Sequence, residues 1–167
     1  DRVERVVEVA AQARLEADAA TLPDTVGRGV VLVTGGTGLL GRRVVEELRH
    51  AGYPTRTVNR RIPAPSARIP GVEYVSGDLA RGLDSAVLAG VDTIVHCAAE
   101  TSGGRAEQLR NSVTATRLLV ERGAAAGVKK FVHTSSLGVL KPGHGREVEE
   151  SSPVDAGNLE RGPYVWG

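Results

Sequence analysis

The chain of 167 residues contains no methionine, not even at its first position, and one cysteine, Cys97. A single cysteine excludes an intrachain disulfide and fits a reducing compartment, so a cytoplasmic location is expected. The missing first methionine suggests a segment of a longer chain. No run approaches the roughly 18 apolar residues of a membrane span, and the charged start "DRVERVVEVA" is unlike a signal peptide. Neither sign of charge dominates. The 21 Lys and Arg against 20 Asp and Glu leave a formal net charge of +1, which gives no support for a nucleic-acid or membrane partner. Metal-ligand patterns are also lacking. His50, His96, His133 and His144 lack ligand spacing, and the acids of "GREVEESSPVDAGNLE" lack the alternating carboxylates of a calcium loop. No metal is expected. There is no internal repeat and no low-complexity tract.

What is present is enough apolar content, 41%, for one core. In residues 1–20, Val3, Val6, Val7, Ala10, Ala13 and Ala17 recur at three and four, which predicts a helix. "TLPDTVGRG" then reads as a linker, so residues 1–29 stand apart from residues 30–167. From Val30 the pattern alternates. A strand "VVLVT" leads to a helix at 39–51, a strand at 55–59, a Pro-rich loop and a strand at 72–77. A short helix at 83–89, a strand "DTIVHCA", a long helix at 106–126 and a strand "KKFVHTS" follow. Residues 141–161 read as loop, and a helix starts at Pro163. Apolar strands alternating with helices predict an α/β fold, a doubly wound parallel sheet with helices on both faces. Cys97, inside "TIVHCAA", reads as core, and His96 and His133 read as hydrogen-bonded core residues.

One stretch carries chemistry: "VVLVTGGTGLLGRR", from Val30 to Arg43. Stiff β-branched residues run straight into four glycines. Gly35 can take positive φ at little cost. Gly38, without a side chain, lets a ligand reach main chain at the start of a helix. Gly41 lets that helix sit close to the strand. A helix amino terminus offers N–H groups and partial positive charge, which suit a pyrophosphate. A tight turn with no ligand is the alternative.

"TGGTGLLG" is similar to the T-G-x-x-G-x-x-G signature of the short-chain dehydrogenase/reductase superfamily. It most resembles the extended branch, the NAD(P)-dependent epimerase/dehydratase family. The resemblance covers about Val30 to the end of the chain. It implies a Rossmann fold truncated after about five strands, with Gly35, Thr37, Gly38, Leu39, Leu40 and Gly41 against the cofactor. "GDL" resembles the motif after the third strand, where the family's Asp faces the adenine, which implicates Asp78 and Leu79. "VHCAA" resembles the fourth strand, whose end, Cys97, Ala98 and Ala99, would line the cofactor. "FVHTSS" resembles the fifth strand, with Thr134 near the cofactor and Ser136 as the catalytic serine, Ser135 being the adjacent alternative. "YVWG" resembles the start of Y-x-x-x-K and makes Tyr164 the catalytic tyrosine. The family's lysine would fall at position 168, so the catalytic set is incomplete here and turnover by this chain alone is not expected. The long helix reads Ser112-Val113-Thr114-Ala115-Thr116 where the family has N-V-x-G-T, with Asn111 displaced by one position. Ser112 is the candidate to replace the asparagine's hydrogen bond; a weaker catalytic relay is the alternative.

NAD binders place Asp or Glu about 20 residues past the glycines. Here that place is Asn59, followed by Arg60 and Arg61. A guanidinium can clamp a 2′-phosphate that a carboxylate would repel, so NADP is favoured over NAD. Two solvated surface arginines are the alternative. The resemblance thus implies an NADP-dependent oxidoreductase, epimerase or dehydratase, moving a hydride to or from a hydroxyl- or carbonyl-bearing small molecule. Leu140, where sugar epimerases often have tyrosine, points weakly away from sugars. A non-catalytic NADP-binding sensor is the alternative function, and residues 1–29 could instead link to an upstream domain. A sheet ending at the fifth strand would expose an apolar edge, which predicts self-association as a homodimer, or low stability.

Overall fold

The computed structural model describes residues 28–141, 148–149, 151–154 and 162–166. The helix expected at 1–20, the linker up to residue 27 and most of the loop at 141–161 lie outside the described residues. Five strands form one parallel sheet: β1 (Val30–Thr34), β2 (Thr55–Asn59), β3 (Val72–Ser76), β4 (Val91–His96) and β5 (Lys130–His133). Their order is β3-β2-β1-β4-β5. The order reverses at β1, so the crevice beyond the carboxyl ends of β1 and β4 is the place where this architecture takes ligands. The register sets Thr34 of β1 beside Val58 of β2 on one side and His96 of β4 on the other.

Side chains alternate across the sheet and divide the core in two. Leu32, Val58 and Ile94 pack with Leu83, Leu88 and Leu119 on one face. Val31 and Val33 pack with Val45 and Ile69 on the other. Helix α1 (Leu39–His50) supplies Val45, and α4 (Ala115–Ala125) supplies Leu119. Each face is therefore covered by a helix, which is the doubly wound arrangement. Leu32 and Ile94 are fully buried, each stabilising the fold by about 1.5–3 kcal/mol.

The elements depart from the sequence pattern in places. Helix α2 (Ser85–Leu88) is shorter than expected, because Asp84 accepts the Ala86 N–H and fixes its start. The expected helix at 106–126 begins at Arg105 and is not uniform. It runs as α3 (Arg105–Gln108), a π turn (Leu109–Thr114) and α4. β4 stops at His96, where the chain bends over the end of β1 and the Cys97 N–H donates to the Thr34 carbonyl. Cys97 is consequently half-buried rather than core. His133 is exposed, also against expectation, because β5 is the edge of the sheet and has no neighbour on its far side among the described residues. Leu140 bridges Val154 in antiparallel fashion within the expected loop, and α5 (Pro163–Trp166) starts at the proline.

Candidate cofactor site

The turn from β1 into α1 is shaped by four glycines with different duties. Gly35 has φ of +69°, and a Cβ there would lie 2.8 Å from the Ala98 nitrogen. A Cβ on Gly36 would meet the Thr57 hydroxyl at 2.3 Å, and one on Gly41 would meet the Gly35 carbonyl oxygen at 2.2 Å. Gly41 therefore brings the helix against the turn itself, rather than against the strand as the sequence suggests. Gly38 differs. Its backbone is extended, and a Cβ would find only the Gly35 oxygen, at 3.3 Å. Packing within the chain asks for glycine less strictly at 38 than at 35, 36 and 41, where a Cβ would lie 2.8 Å or less from its neighbour.

Gly38 is the N-cap of α1, with no side-chain capping bond and no acid in the first turn. The first N–H groups of a helix lack intrahelical partners and carry its partial positive charge. Thr37, Leu39 and Leu40 are exposed around them, Leu39 by 93%. The nearby cations are engaged elsewhere, since Arg42 and Arg43 both pair with Glu46 on their own helix.

Beneath the turn lies a buried polar chain. Thr34 Oγ1 is 2.6 Å from His96 Nδ1, and His96 Nε2 is 2.9 Å from Thr116 Oγ1. The Ala98 N–H donates to the same Thr34 hydroxyl. Burial drives the His96 pKa down to about 4, helped by the charge of His133, whose ring stacks 5.2 Å away. The imidazole is therefore neutral near pH 7, with one donor and one acceptor nitrogen for the two threonines. The end of β1, the end of β4 and α4 are tied through one ring. Beyond it, Ala98 is half-buried and Ala99 and Thr134 are exposed. The Thr134 hydroxyl donates to Cys97 Sγ at 3.6 Å.

At the end of β2, Asn59 turns inward: its amide donates to the Thr57 carbonyl and hydroxyl, both at 3.3 Å. Arg60 and Arg61 follow it on the surface. At the end of β3, Asp78 Oδ1 accepts the Ala80 N–H, capping a short turn (Leu79–Arg81). Asp78 Oδ2 accepts from Arg110 and lies 3.7 Å from Arg81. Partial burial opposes ionisation of Asp78. The bonds from Arg110 and Ala80 and the charges of Arg110 and Arg81 outweigh it, and hold the carboxyl below its ordinary range. Leu79 is half-buried against the core.

The π turn gathers a second polar set. The Ser112 hydroxyl accepts the Glu100 N–H at 3.1 Å and donates to Gln108 Oε1 at 3.0 Å. Gln108, fully buried, donates to the Glu100 carbonyl at 2.7 Å. Asn111 donates to Glu100 Oε2 at 2.8 Å. The Asn111 bond and N–H groups of Ser102 and Gly103 hold the Glu100 carboxyl low, with a smaller contribution from the charge of Arg60. Further along the sheet, Ser136 Oγ accepts the Gly138 N–H at 3.1 Å and caps the turn Leu137–Val139. Tyr164, 46% exposed, lies in α5, which packs against that turn and against α3.

A family model, the NAD dependent epimerase/dehydratase family, matches residues 31–164. The chain belongs to that family. It is 38% identical over 133 residues to a 3-beta-hydroxysteroid dehydrogenase of Mycolicibacterium neoaurum, covering 74% of this chain and 36% of the relative. It is 36% identical over 134 residues to a 3 beta-hydroxysteroid dehydrogenase/Delta 5-->4-isomerase of Mycobacterium tuberculosis, covering 74% and 35%. The chain thus spans little more than a third of the relatives it matches. The solved structure of MoeE5 in complex with UDP-glucose and NAD superposes with a TM-score of 0.64 at 33% identity, over 82% of this chain and 44% of that one. The terminal R domain of a myxalamid pathway, at 20% identity and a TM-score of 0.70 over 93% and 49%, shares the fold.

The epimerase/dehydratase family's dinucleotide fits the residues present. A Cβ would occupy the space over Gly38, and the helix behind it presents N–H groups with no side-chain cap and no acid in the first turn. A short-chain dehydrogenase/reductase superfamily protein from Agrobacterium tumefaciens, solved with bound NAD, superposes with a TM-score of 0.63 at 31% identity, over 82% of this chain and 42% of that one. Sequence reasoning overlooked Gly36, Glu100, Gln108 and Arg110. Only the one-position shift of Asn111 hinted at the irregular helix that assembles the last three.

Proposed function

We propose that the protein is an NADP-dependent oxidoreductase, epimerase or dehydratase of the extended short-chain dehydrogenase type, acting on a hydroxyl- or carbonyl-bearing small molecule. The observation that carries this reading is the uncapped start of α1 over Gly38, where a Cβ would meet only the Gly35 carbonyl oxygen, at 3.3 Å. The bound nicotinamide would supply or accept the hydride. Gly35, Gly38, Gly41 and the N–H groups from Leu39 onward would hold the pyrophosphate. Cys97, Ala98, Ala99 and Thr134 would line the crevice at the ends of β4 and β5. Ser136 would donate a hydrogen bond to the substrate oxygen, and Tyr164 would exchange the hydroxyl proton. A phenol with a pKa near 10 needs a neighbouring cation for that work near neutrality.

The preference for NADP rests on the end of β2. Asn59 is turned into the sheet and no carboxylate stands in its place, so ribose hydroxyls find no anionic acceptor there. Arg60 and Arg61 are exposed at the same edge, where a 2′-phosphate would gain charge-assisted bonds. MoeE5 was solved with NAD, so the choice needs measurement. NADPH and NADH titrations of the protein, followed by nicotinamide fluorescence, should show NADPH tighter by about tenfold or more, a gap that R60A narrows. Tighter NADH would overturn the preference; no binding of either would overturn the whole reading.

The relatives' hydroxysteroid names and Leu140 support a non-sugar alcohol or ketone as substrate. No helix among the described residues is long and apolar enough to cross a membrane, which accords with action in the cytoplasm. The alternative reading is a non-catalytic NADP sensor. Tight NADPH binding with no turnover of any alcohol or ketone, and no effect of Y164F, would establish it.

A further inference from the structure

Arg110 has no part in the motifs that carry the reading above, and it occupies an unusual place. It stands on the π turn between α3 and α4, a helix irregularity often found at functional sites. Its guanidinium crosses to Asp78, at the end of β3, and also donates to Asn111 Oδ1 at 2.7 Å. Asn111 in turn holds Glu100, in the segment after β4. One irregular turn thus grips the carboxylates that follow β3 and β4, along the carboxyl edge of the sheet. The side chains of Asp78 and Arg110 are 26% and 47% exposed. A half-exposed ion pair adds little to stability. What it does fix is direction: Asp78 Oδ1 is turned to Ala80 and Oδ2 to Arg110, and a carboxylate has lone pairs beyond those two bonds.

We propose that Arg110 is a positioning residue of the adenine end, holding the Asp78 carboxylate where it accepts the 6-amino group of the adenine. The proposal rests on the dinucleotide reading above. Arg81, the other cation near Asp78, is 83% exposed and lies 3.7 Å away, beyond hydrogen-bond length, whereas Arg110 bonds the carboxylate directly. Because the pair contributes direction rather than stability, its loss should leave the fold intact and change what the site distinguishes.

The test compares NADPH with its hypoxanthine analogue, in which an oxo group replaces the 6-amino group. A carboxylate accepts from the amino group and repels the oxo oxygen. The full-length protein should bind NADPH about tenfold more tightly than the analogue, the discrimination expected of one hydrogen bond to a charged group. In R110A the preference should fall to about twofold or less while the thermal midpoint stays near that of the parent protein. R110K, which keeps the charge and one donor, should restore most of it. Equal weakening of both ligands in R110A, with the ratio preserved, overturns the proposal, as does a parent protein that binds both equally. A parent protein that binds neither dinucleotide refutes the dinucleotide reading itself, a separate outcome.

Discussion

At the scale of single residues, the glycines of the turn separate packing from binding. Gly35→Ala must place a Cβ against the Ala98 main chain at positive φ, at a cost of about 2 kcal/mol or more. Gly38→Ala would meet only the Gly35 carbonyl oxygen, at 3.3 Å, and would lose a favoured N-cap residue, so its stability should fall by about 1 kcal/mol. Its methyl group would also fill the cradle, and dinucleotide affinity should drop at least about tenfold. Urea midpoints set beside NADPH titrations check both, and unchanged affinity in G38A would remove the turn from the binding site. His96 gives a pH signature. Its pKa is 6.5 when unfolded and about 4 when folded, so above pH 6.5 it is neutral in both states and adds no pH dependence. As the pH falls from 6.5 to 4, the unfolded chain takes up the proton first, and stability is lost on the order of 3 kcal/mol. Urea midpoints across that window should fall in the parent protein and stay flatter in H96Q. The two sequence readings of this region met different ends for one reason. His96 is core because β4 is central, and His133 is exposed because β5 is an edge; residue type carries neither fact.

At the scale of elements, the π turn is the feature with the most consequence and the faintest trace in the sequence. Its extra residue lets Arg110, Asn111 and Ser112 reach Asp78, Glu100 and the Glu100 N–H in succession. Apolar periodicity located the helix but could not show the irregularity, because Ala115 and Leu119 keep their faces to the sheet through the following regular helix. The expected substitution of Ser112 for an asparagine acquires a geometry here: its hydroxyl bridges Glu100 and the buried Gln108. Ser112→Ala would leave the Glu100 N–H and Gln108 Oε1 without that partner, a loss of about 1–3 kcal/mol. A lower urea midpoint with an unchanged m-value would bear this out; a midpoint equal to the parent's would mean the bridge is not retained in solution. The strands were legible because β-branched runs between Gly and Pro leave few other choices. Their ends were not, since β4 stops where the Cys97 N–H meets Thr34, a contact between residues more than sixty positions apart.

At the scale of the whole molecule, the alternation of strand and helix was enough to anticipate the parallel sheet with a helix on each face. What surrounds the crevice beyond β1 and β4 was less legible, because Glu100, Gln108 and Arg110 act through long-range hydrogen bonds that no local pattern announces. The sheet also has an asymmetry with a physical outcome. Among the described residues β1 is enclosed between β2 and β4, while β5 has a neighbour on one side only and presents Val132, 41% exposed. Beside it, Val120, Gly123, Val128 and Phe131 line a shallow crevice of about 140 Å³ at the end of α4. An edge strand that keeps apolar side chains in water is a template for pairing with another chain. Lys129, before the strand, is paired with Asp92, and Lys130 is the first residue of β5; the charge of Lys130 opposes pairing with a second copy until salt screens it. The 167-residue chain should therefore self-associate more at high salt than at low, seen as a rising sedimentation-average mass. Val132→Lys should keep it monomeric in both conditions. Salt-independent association, or association that survives V132K, would place the contact elsewhere than on β5.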